Sequence, residues 1–600
     1  MNSILMTRWG RAIDPDHVLP EYPRPQMVRD HYMNLNGLWD YAITGSQERP
    51  QKYDGKILVP FSPEAPLSGV NRILQPDEYL HYEREITIRK EEQVRYLLHF
   101  GAVDQSCEIY VNGKKAGEHT GGYLAFSIDI SELLQDGGNR LHVTVCDLSD
   151  TSYHAKGKQS LERGGMWYTP QSGIWQTVWM EKVPCRYIRE LKIDPDLDAG
   201  AVRVKVLLNT NEKLPVEAVV RFRGAVLRAE EGTTGRTIRI SGLPVHPWTP
   251  ETPDLYDVVI RTKEDAVTSY FAMRKISVER DSGGILRMFL NNRPHYQNGV
   301  LDQGYYPDGL YTAPDDEAMV NDIMQMKALG FNMLRKHVKI EPSRWYWHCD
   351  RLGMLVWQDM VCGGDLYHGW FVTIMPNLFP FTGRVIPDRN RWLFSRTQEA
   401  GRKEFLREVR QTIRQLYHHP SIVLWTAFNE GWGQFDARKV TGLIRRLDPS
   451  RLIDEASGWF DRGGGDLYSI HNYFRKLRVS PDEKRCVALT EFGGCSWHMP
   501  GRSYTEEEYG YGKCRSKEEL TDAIEKLWRR DLFRSIPNGL CASVYTQVSD
   551  IEDETNGLLT YDREEIKTNA DRILRLNREL YKAADEAAHQ SAHQSASGLS

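Results

Sequence analysis

The sequence predicts a multidomain chain, two β-sandwiches followed by a (β/α)8 barrel, and three observations carry that prediction. Short alternating runs bounded by turn residues fill positions 1–279, with no long helical period among them. From position 280 the pattern changes to apolar strands alternating with segments of helical spacing, as a parallel sheet requires. At 600 residues the chain is also well beyond what one core can organise.

The first segment, 1–185, holds strand-like runs at Glu85–Ile88, Tyr96–Phe100, Cys107–Val111, Leu141–Val145 and Thr177–Met180. Asn112-Gly113 falls where a two-residue hairpin needs positive φ. In the second segment, 186–279, Ala201–Leu208, Ala218–Phe222, Thr237–Ile240 and Tyr256–Arg261 recur at the spacing of an immunoglobulin-like sandwich. Val245–Pro253, with three prolines, reads as a loop between its strands. The third segment, 280–582, opens a helix after Pro314-Asp315, with Met319, Ile323, Met326 and Leu329 on one face and Gly330 as its stop. Phe331–Leu334 and Ile422–Phe428 are predicted strands. Helices are predicted around Phe405–Leu416, Val440–Ile444 and Leu520–Trp528. Residues 583–600 are low in complexity and are expected to be disordered.

Composition narrows the function classes. Basic residues number 77 against 82 acidic ones, a net charge of −5, which argues against a basic face for nucleic acid. No apolar run reaches the ~18–20 residues of a membrane span, and Met1–Asp16 lacks a sustained apolar core of a leader. Nine scattered cysteines form no Cys-x-x-Cys pair, so neither a zinc ribbon nor a disulfide framework is indicated, and a cytoplasmic home is expected. Phosphate-loop, Gly-x-Ser-x-Gly and His-Glu-x-x-His patterns are absent, and Asp359, Cys362 and His368 are too irregularly spaced for a metal site. No metal or cofactor is expected.

In a barrel, chemistry sits at the C-terminal ends of strands. Two apolar runs end there in a carboxylate: Ser421 to Glu430, followed by Gly431-Trp432-Gly433, and Cys486 to Glu491, followed by Phe492-Gly493-Gly494. A glycosidic bond is cleaved by such a pair, one carboxyl protonated to serve the leaving oxygen and one ionised to attack the anomeric carbon or activate water. Asn-Glu also occurs at Asn211-Glu212 in a presumed turn, so the dipeptide alone says nothing; the strand-end position carries the argument. Arg335, His337, Asp359, His471, Tyr473 and Gln547 end other strands and could line a polar, aromatic pocket for sugar.

These residues resemble glycoside hydrolase family 2 over nearly the whole chain. Asn34 to Trp39, Phe100 to Asp104, Tyr110 to Gly113, Gly121 to Tyr123 and Ser172 to Trp175 are similar to the family's sugar-binding jelly roll, and Trp248 to Tyr256 to its immunoglobulin-like domain. His419 to Glu430 resembles the segment after barrel strand four, and Leu489 to Gly493 the segment after strand seven. The resemblance implies Glu430 as acid/base, Glu491 as nucleophile of a retaining mechanism, and Asn429 on the substrate's 2-hydroxyl. Only 61 positions separate the two glutamates, which implies shortened βα units between strands four and seven. Glu554-Thr555-Asn556-Gly557 stands where the family's β-glucuronidases carry a lysine for the sugar carboxylate, and an acid there disfavours a uronate. The expectation is therefore an exo-acting, β-galactosidase-like enzyme on a glycoside or oligosaccharide, with Glu554 among its substrate contacts. A β-mannosidase, an arabinosidase or other pentosidase, a non-hydrolytic barrel enzyme and a non-catalytic carbohydrate-binding protein are the alternatives. No nucleic-acid or membrane partner is expected, and a homo-oligomer is left open.

Overall fold

A computed structural model describes residues 5–378 and 386–594. In the first segment, a four-stranded antiparallel sheet (Tyr32–Asn34, Val178–Pro184, Val94–Phe100, Phe126–Asp129) accompanies a six-stranded one running from Gly55–Val59 to Lys114–Thr120. Trp39, Tyr82, Leu98, Phe100, Ile109 and Val143 are fully buried in one core, as inward positions of alternating strands must be. Ser106–Val111 and Lys114–Thr120 meet at Asn112 and Gly113, with φ of 52° and 79°, the two positive values the predicted hairpin requires.

The second sandwich pairs a three-stranded sheet (Ile188–Asp196, Ala201–Leu208, Thr237–Ser241) with a four-stranded one (Ala225–Thr233, Pro215–Phe222, Tyr256–Arg261, Ala266–Phe271). Trp248, from the proline-rich loop, is fully buried, and its indole N–H donates to the Asp350 carbonyl of the third segment at 2.7 Å.

Eight parallel strands form the third unit: β1 (Gln297–Asp302), β2 (Met333–Lys336), β3 (Leu355–Asp359), β4 (Ile422–Thr426), β5 (Leu452–Asp454), β6 (Leu467–Asn472), β7 (Cys486–Gly493) and β8 (Leu540–Thr546). The pairing order β5-β4-β3-β2-β1-β8-β7-β6 laces every neighbouring pair except β5 and β6. This is a (β/α)8 barrel with one open seam. Helices α1 (Asp316–Ala328), α2 (Ser343–Leu352), α3 (Glu399–Leu416), α4 (Ala437–Leu447) and α5 (Lys517–Leu527) pack outside, but none lies between β5 and β6 or between β6 and β7. The shortening expected from the spacing of Glu430 and Glu491 is located there.

Local chemistry explains the helix ends. Asp315 caps α1 by accepting from the Glu317 N–H at 2.7 Å, and Gly330, at φ 85°, turns the chain into β2. Two expectations are corrected. The strand expected at Phe331–Leu334 is Met333–Lys336, because Asn332 is occupied in the turn, its amide reaching the Tyr296 carbonyl at 2.9 Å. Over 583–594 the expected disorder gives way to helix α6 (Ala570–Gln594), where Ile573, Leu576, Leu580, Ala584 and Ala588 form one buried stripe; 595–600 lie outside the described residues. Alanine is the best helix former, so a compositionally simple stretch there continues the helix instead of ending it.

Candidate active site

Glu430 lies four residues past β4. The chain remains paired beyond the strand: the Glu430 N–H donates to the Ser457 carbonyl at 3.0 Å, and the Ser457 N–H to the Phe428 carbonyl at 2.8 Å. Glu430 itself has φ 50°, a left-handed conformation that costs a non-glycine residue roughly 1–3 kcal/mol and that clusters where geometry matters more than stability. That turn aims the carboxyl group inward, where the His471 ring nitrogen Nδ1 contacts Oε1 at 2.8 Å.

Glu491 owes its direction to a β-bulge. Ile470 and His471 of β6 face Leu489 and Glu491 of β7, and on the other side Ser543 and Tyr545 of β8 face Leu489 and Phe492, so both neighbours register one extra residue in β7. Thr490 points inward, its hydroxyl 2.7 Å from that of Ser469. Strict alternation would then send Glu491 outward with Leu489. The bulge places two consecutive residues on the inner side.

The two carboxylates converge: one oxygen of Glu430, one of Glu491 and one nitrogen of His471 all lie within 4.8 Å of one another. Around Glu491 stand the strand-end residues expected from the sequence. The Arg335 guanidinium, fully buried, donates to Glu491 Oε1 at 3.0 Å, to both Asp359 oxygens at 3.1 Å and to Asn429 Oδ1 at 2.9 Å. Asp359 also meets His337 Nδ1 at 2.8 Å, and the Tyr473 hydroxyl donates to Glu491 Oε2 at 2.6 Å. Arginine has only donors, so Asn429 must turn its oxygen to Arg335, and its buried amide nitrogen is left without a hydrogen-bond partner among the described residues.

These surroundings drive the two carboxyl groups apart. Burial raises the pKa of Glu430, and the Glu491 charge adds to the rise against the His471 contact. Burial acts on Glu491 too, but His471, the Arg335 guanidinium, His337 and the Tyr473 hydrogen bond outweigh it and bring its pKa down to about 2. Two neighbouring carboxyl groups with pKa values displaced in opposite directions are what a proton donor and a nucleophile need.

Gln547 and Glu554 stand farther round the rim. Gln547 donates to Asn556 Oδ1 at 2.7 Å and accepts from Gln303 at 2.7 Å. Glu554 is buried with both oxygens engaged, one by the Asn556 amide at 2.8 Å and one by the Tyr168 hydroxyl.

Tyr168 belongs to a part of the site that sequence reasoning missed. It sits on a long loop of the first sandwich, between the strands Gly137–Cys146 and Gly173–Ile174, that crosses the barrel mouth. The Lys156 and Gly157 N–H groups donate to the Cys362 carbonyl at 2.9 and 3.0 Å, Arg163 reaches Asp553 at 3.0 Å, and the Gln303 amide donates to Tyr168 at 2.7 Å. Gly157 has φ 57°, and a Cβ there would stand 2.9 Å from the Val338 carbonyl, so glycine lets the loop approach this closely. The signal was present: a stretch this long without strand pattern inside a compact sandwich is commonly functional.

Comparisons with known proteins agree with this architecture. The family model "Glycosyl hydrolases family 2, sugar binding domain" matches residues 43–184, "Glycosyl hydrolases family 2" matches 186–274, and "Glycosyl hydrolases family 2, TIM barrel domain" matches 286–476. A β-galactosidase of Leuconostoc mesenteroides is 27% identical over 388 residues, covering 61% of this chain and 34% of its own. The chain spans about half or less of the length of the curated relatives it matches. Among solved structures, a β-glucuronidase from an uncultured Clostridium superposes with a TM-score of 0.72 at 17% identity, covering 93% of this chain and 99% of that one. A β-galacturonidase from Eisenbergiella tayi, bound to galacturonate, superposes with a TM-score of 0.68 at 18% identity and the same coverages.

Proposed function

Because the chain belongs to glycoside hydrolase family 2, we propose that it is a retaining exo-β-glycosidase, with Glu491 as nucleophile and Glu430 as acid/base. The observation that carries this reading is the close approach of the two carboxyl groups, with oxygens within 4.8 Å. Double displacement needs carboxyl groups about 5–5.5 Å apart, whereas inversion needs about 6.5–9.5 Å to admit a water. Ionised Glu491 attacks the anomeric carbon while Glu430 gives its proton to the departing oxygen; Glu430, now a base, then activates the water that releases the sugar from Glu491. The unpartnered Asn429 amide is available for the sugar's 2-hydroxyl, held in that orientation by Arg335. The loop of the first sandwich closes one side of the mouth, which suits attack on a terminal sugar.

A β-galactoside is the first substrate to try: the family resemblance puts the acid Glu554 where β-glucuronidases carry a lysine, and the Leuconostoc relative is named a β-galactosidase. A panel of p-nitrophenyl pyranosides and furanosides, followed by NMR of the first-formed sugar, tests the reading. The released sugar is expected as the β-anomer before mutarotation. Release as the α-anomer would refute retention, and silence across the panel without covalent labelling of the protein would remove the glycosidase reading itself.

The opposite pKa displacements set the pH dependence. Glu430 works protonated, so its raised pKa gives an alkaline limb on which kcat/KM is lost as pH rises through it. Glu491 works ionised, so activity persists in acid until its pKa of about 2 is approached or the fold fails. The expected profile holds in acid and falls on the alkaline side, the fall lying above the range of an ordinary glutamate. A flat profile across about pH 4–8, continuing with no alkaline loss, would count against both roles.

A further inference from the structure

Five lysines are buried among the described residues, and four of them have oxygen partners. Lys336 meets Asp302 and Glu341, Lys339 meets Glu341 and two carbonyls, Lys567 meets Asp550, and Lys156 reaches the carbonyls of Asp150 and Gly364. The fifth, Lys158, is 6% exposed, and among the described residues its ammonium group has neither an ion pair nor a hydrogen bond. Two ring faces approach it: the Tyr168 ring centroid lies 5.6 Å away and that of Trp432 5.9 Å away, both near the outer limit of a cation–π contact. The stem of Lys158 is buried, but its ammonium group is not among the fully enclosed polar atoms without a partner, so it can take a counter-charge from the mouth.

Its position says where that counter-charge comes from. Trp432 follows Glu430 by two residues, and its ring lies 6.2 Å from that of His337; Tyr168 is bonded to Glu554 and Gln303. Lys158 therefore stands in the mouth between the β2 and β4 ends and the β8 rim, and its charge is felt at Glu430 and His337. Its backbone is fixed, since the Lys158 carbonyl accepts from the Tyr168 N–H at 3.0 Å and the preceding two residues are pinned to Cys362. Neither glutamate can serve as its partner during reaction. Glu430 must be neutral to donate its proton, and both Glu491 oxygens are already engaged, Oε1 by Arg335 at 3.0 Å and Oε2 by the Tyr473 hydroxyl at 2.6 Å. That leaves Lys158, among the described residues, with two ring faces and no oxygen partner.

We infer that Lys158 is a specificity residue that pairs with an anionic group on the bound sugar, so that the preferred substrate is an acidic glycoside, a uronide or a sulfated hexoside, over its neutral counterpart. The inference rests on the reading of Glu430 and Glu491 as the reacting pair, and it departs from the neutral galactoside suggested by Glu554. That residue's two oxygens are spent on Asn556 and Tyr168, which leaves the nearby ammonium as the group open to the sugar.

The test compares kcat/KM for p-nitrophenyl β-glucuronide, β-galacturonide and β-galactoside 6-sulfate with their neutral parents, in wild type, Lys158→Met and Lys158→Arg. Wild type is expected to prefer at least one acidic glycoside, the carboxylate and sulfate arms telling which anion. Lys158→Met should lower the acidic-to-neutral ratio by roughly 100-fold, mostly through KM, and Lys158→Arg should restore much of it. Calorimetry with free glucuronate, galacturonate and galactose gives a second readout independent of turnover: the acid sugars should bind wild type more tightly, and Lys158→Met should erase the difference. A wild type that prefers neutral sugars in both assays, or a Lys158→Met variant that loses both classes equally, overturns the inference while leaving the glycosidase reading intact. Loss of all turnover in wild type would instead strike the reading of the pair, and calorimetry would still decide on Lys158.

Discussion

Replacing Glu491 with glutamine is expected to lower kcat by roughly 10⁴-fold or more on every substrate, because no other group can form the covalent intermediate. The substitution keeps the side chain's shape. Its amide oxygen can still accept from Tyr473, which now lies 2.6 Å from Oε2, and Arg335 keeps its paired contact with Asp359 at 3.1 Å. One charged hydrogen bond of Arg335 is lost, for about 1–3 kcal/mol, so the variant should fold with a melting temperature only a few degrees lower. Trapping gives the sharper check. A 2-deoxy-2-fluoro glycoside with a good leaving group should label wild type at Glu491, seen by peptide mass spectrometry, and should leave Glu491→Gln unlabelled. A label on any other residue would refute the assignment.

Replacing Glu430 with glutamine is expected to cost about 10²–10⁴ in kcat, and unequally. Aryl glycosides with acidic leaving groups need little proton donation, so their first step should survive better than that of alkyl glycosides or disaccharides. The second step needs Glu430 as base for every substrate. The intermediate should therefore accumulate with activated substrates, giving a burst of phenol, and azide, which needs no base, should restore turnover as a glycosyl azide. The alkaline limb assigned to Glu430 should vanish in this variant. Equal losses on all leaving groups, with no burst and no rescue, would mean that Glu430 only supports the site.

The pair was legible because each glutamate ends a run too apolar to lie at a surface, and in a barrel such ends converge. The turn at Asn112-Gly113 and the helix Asp316–Ala328 were legible because each is punctuated by residues with a local reason to be there. Ser343–Leu352 escaped notice because its buried face is Trp345, Tyr346, His348 and Cys349, which carry a helical spacing without an aliphatic signature. The β7 bulge was illegible for another reason: it breaks period-two alternation at the one residue that matters, and only two neighbouring strands together reveal the extra position. Lys158 and Tyr168 could not be connected to Glu430 by any local pattern, since their proximity is created entirely by the docking of the first sandwich on the barrel.

That docking has a consequence for the order in which a working molecule comes into being. Synthesis proceeds from the N-terminus, and domains generally fold as they emerge. The loop bearing Lys158 and Tyr168 leaves the ribosome before a single barrel strand exists, and it waits, incomplete, for the Cys362, Gln303 and Glu554 that will anchor it. The barrel thus matures against a template already made. Without a folded sandwich the barrel mouth would lack Lys158 and Tyr168 on one side, so the two glutamates alone do not make the complete site.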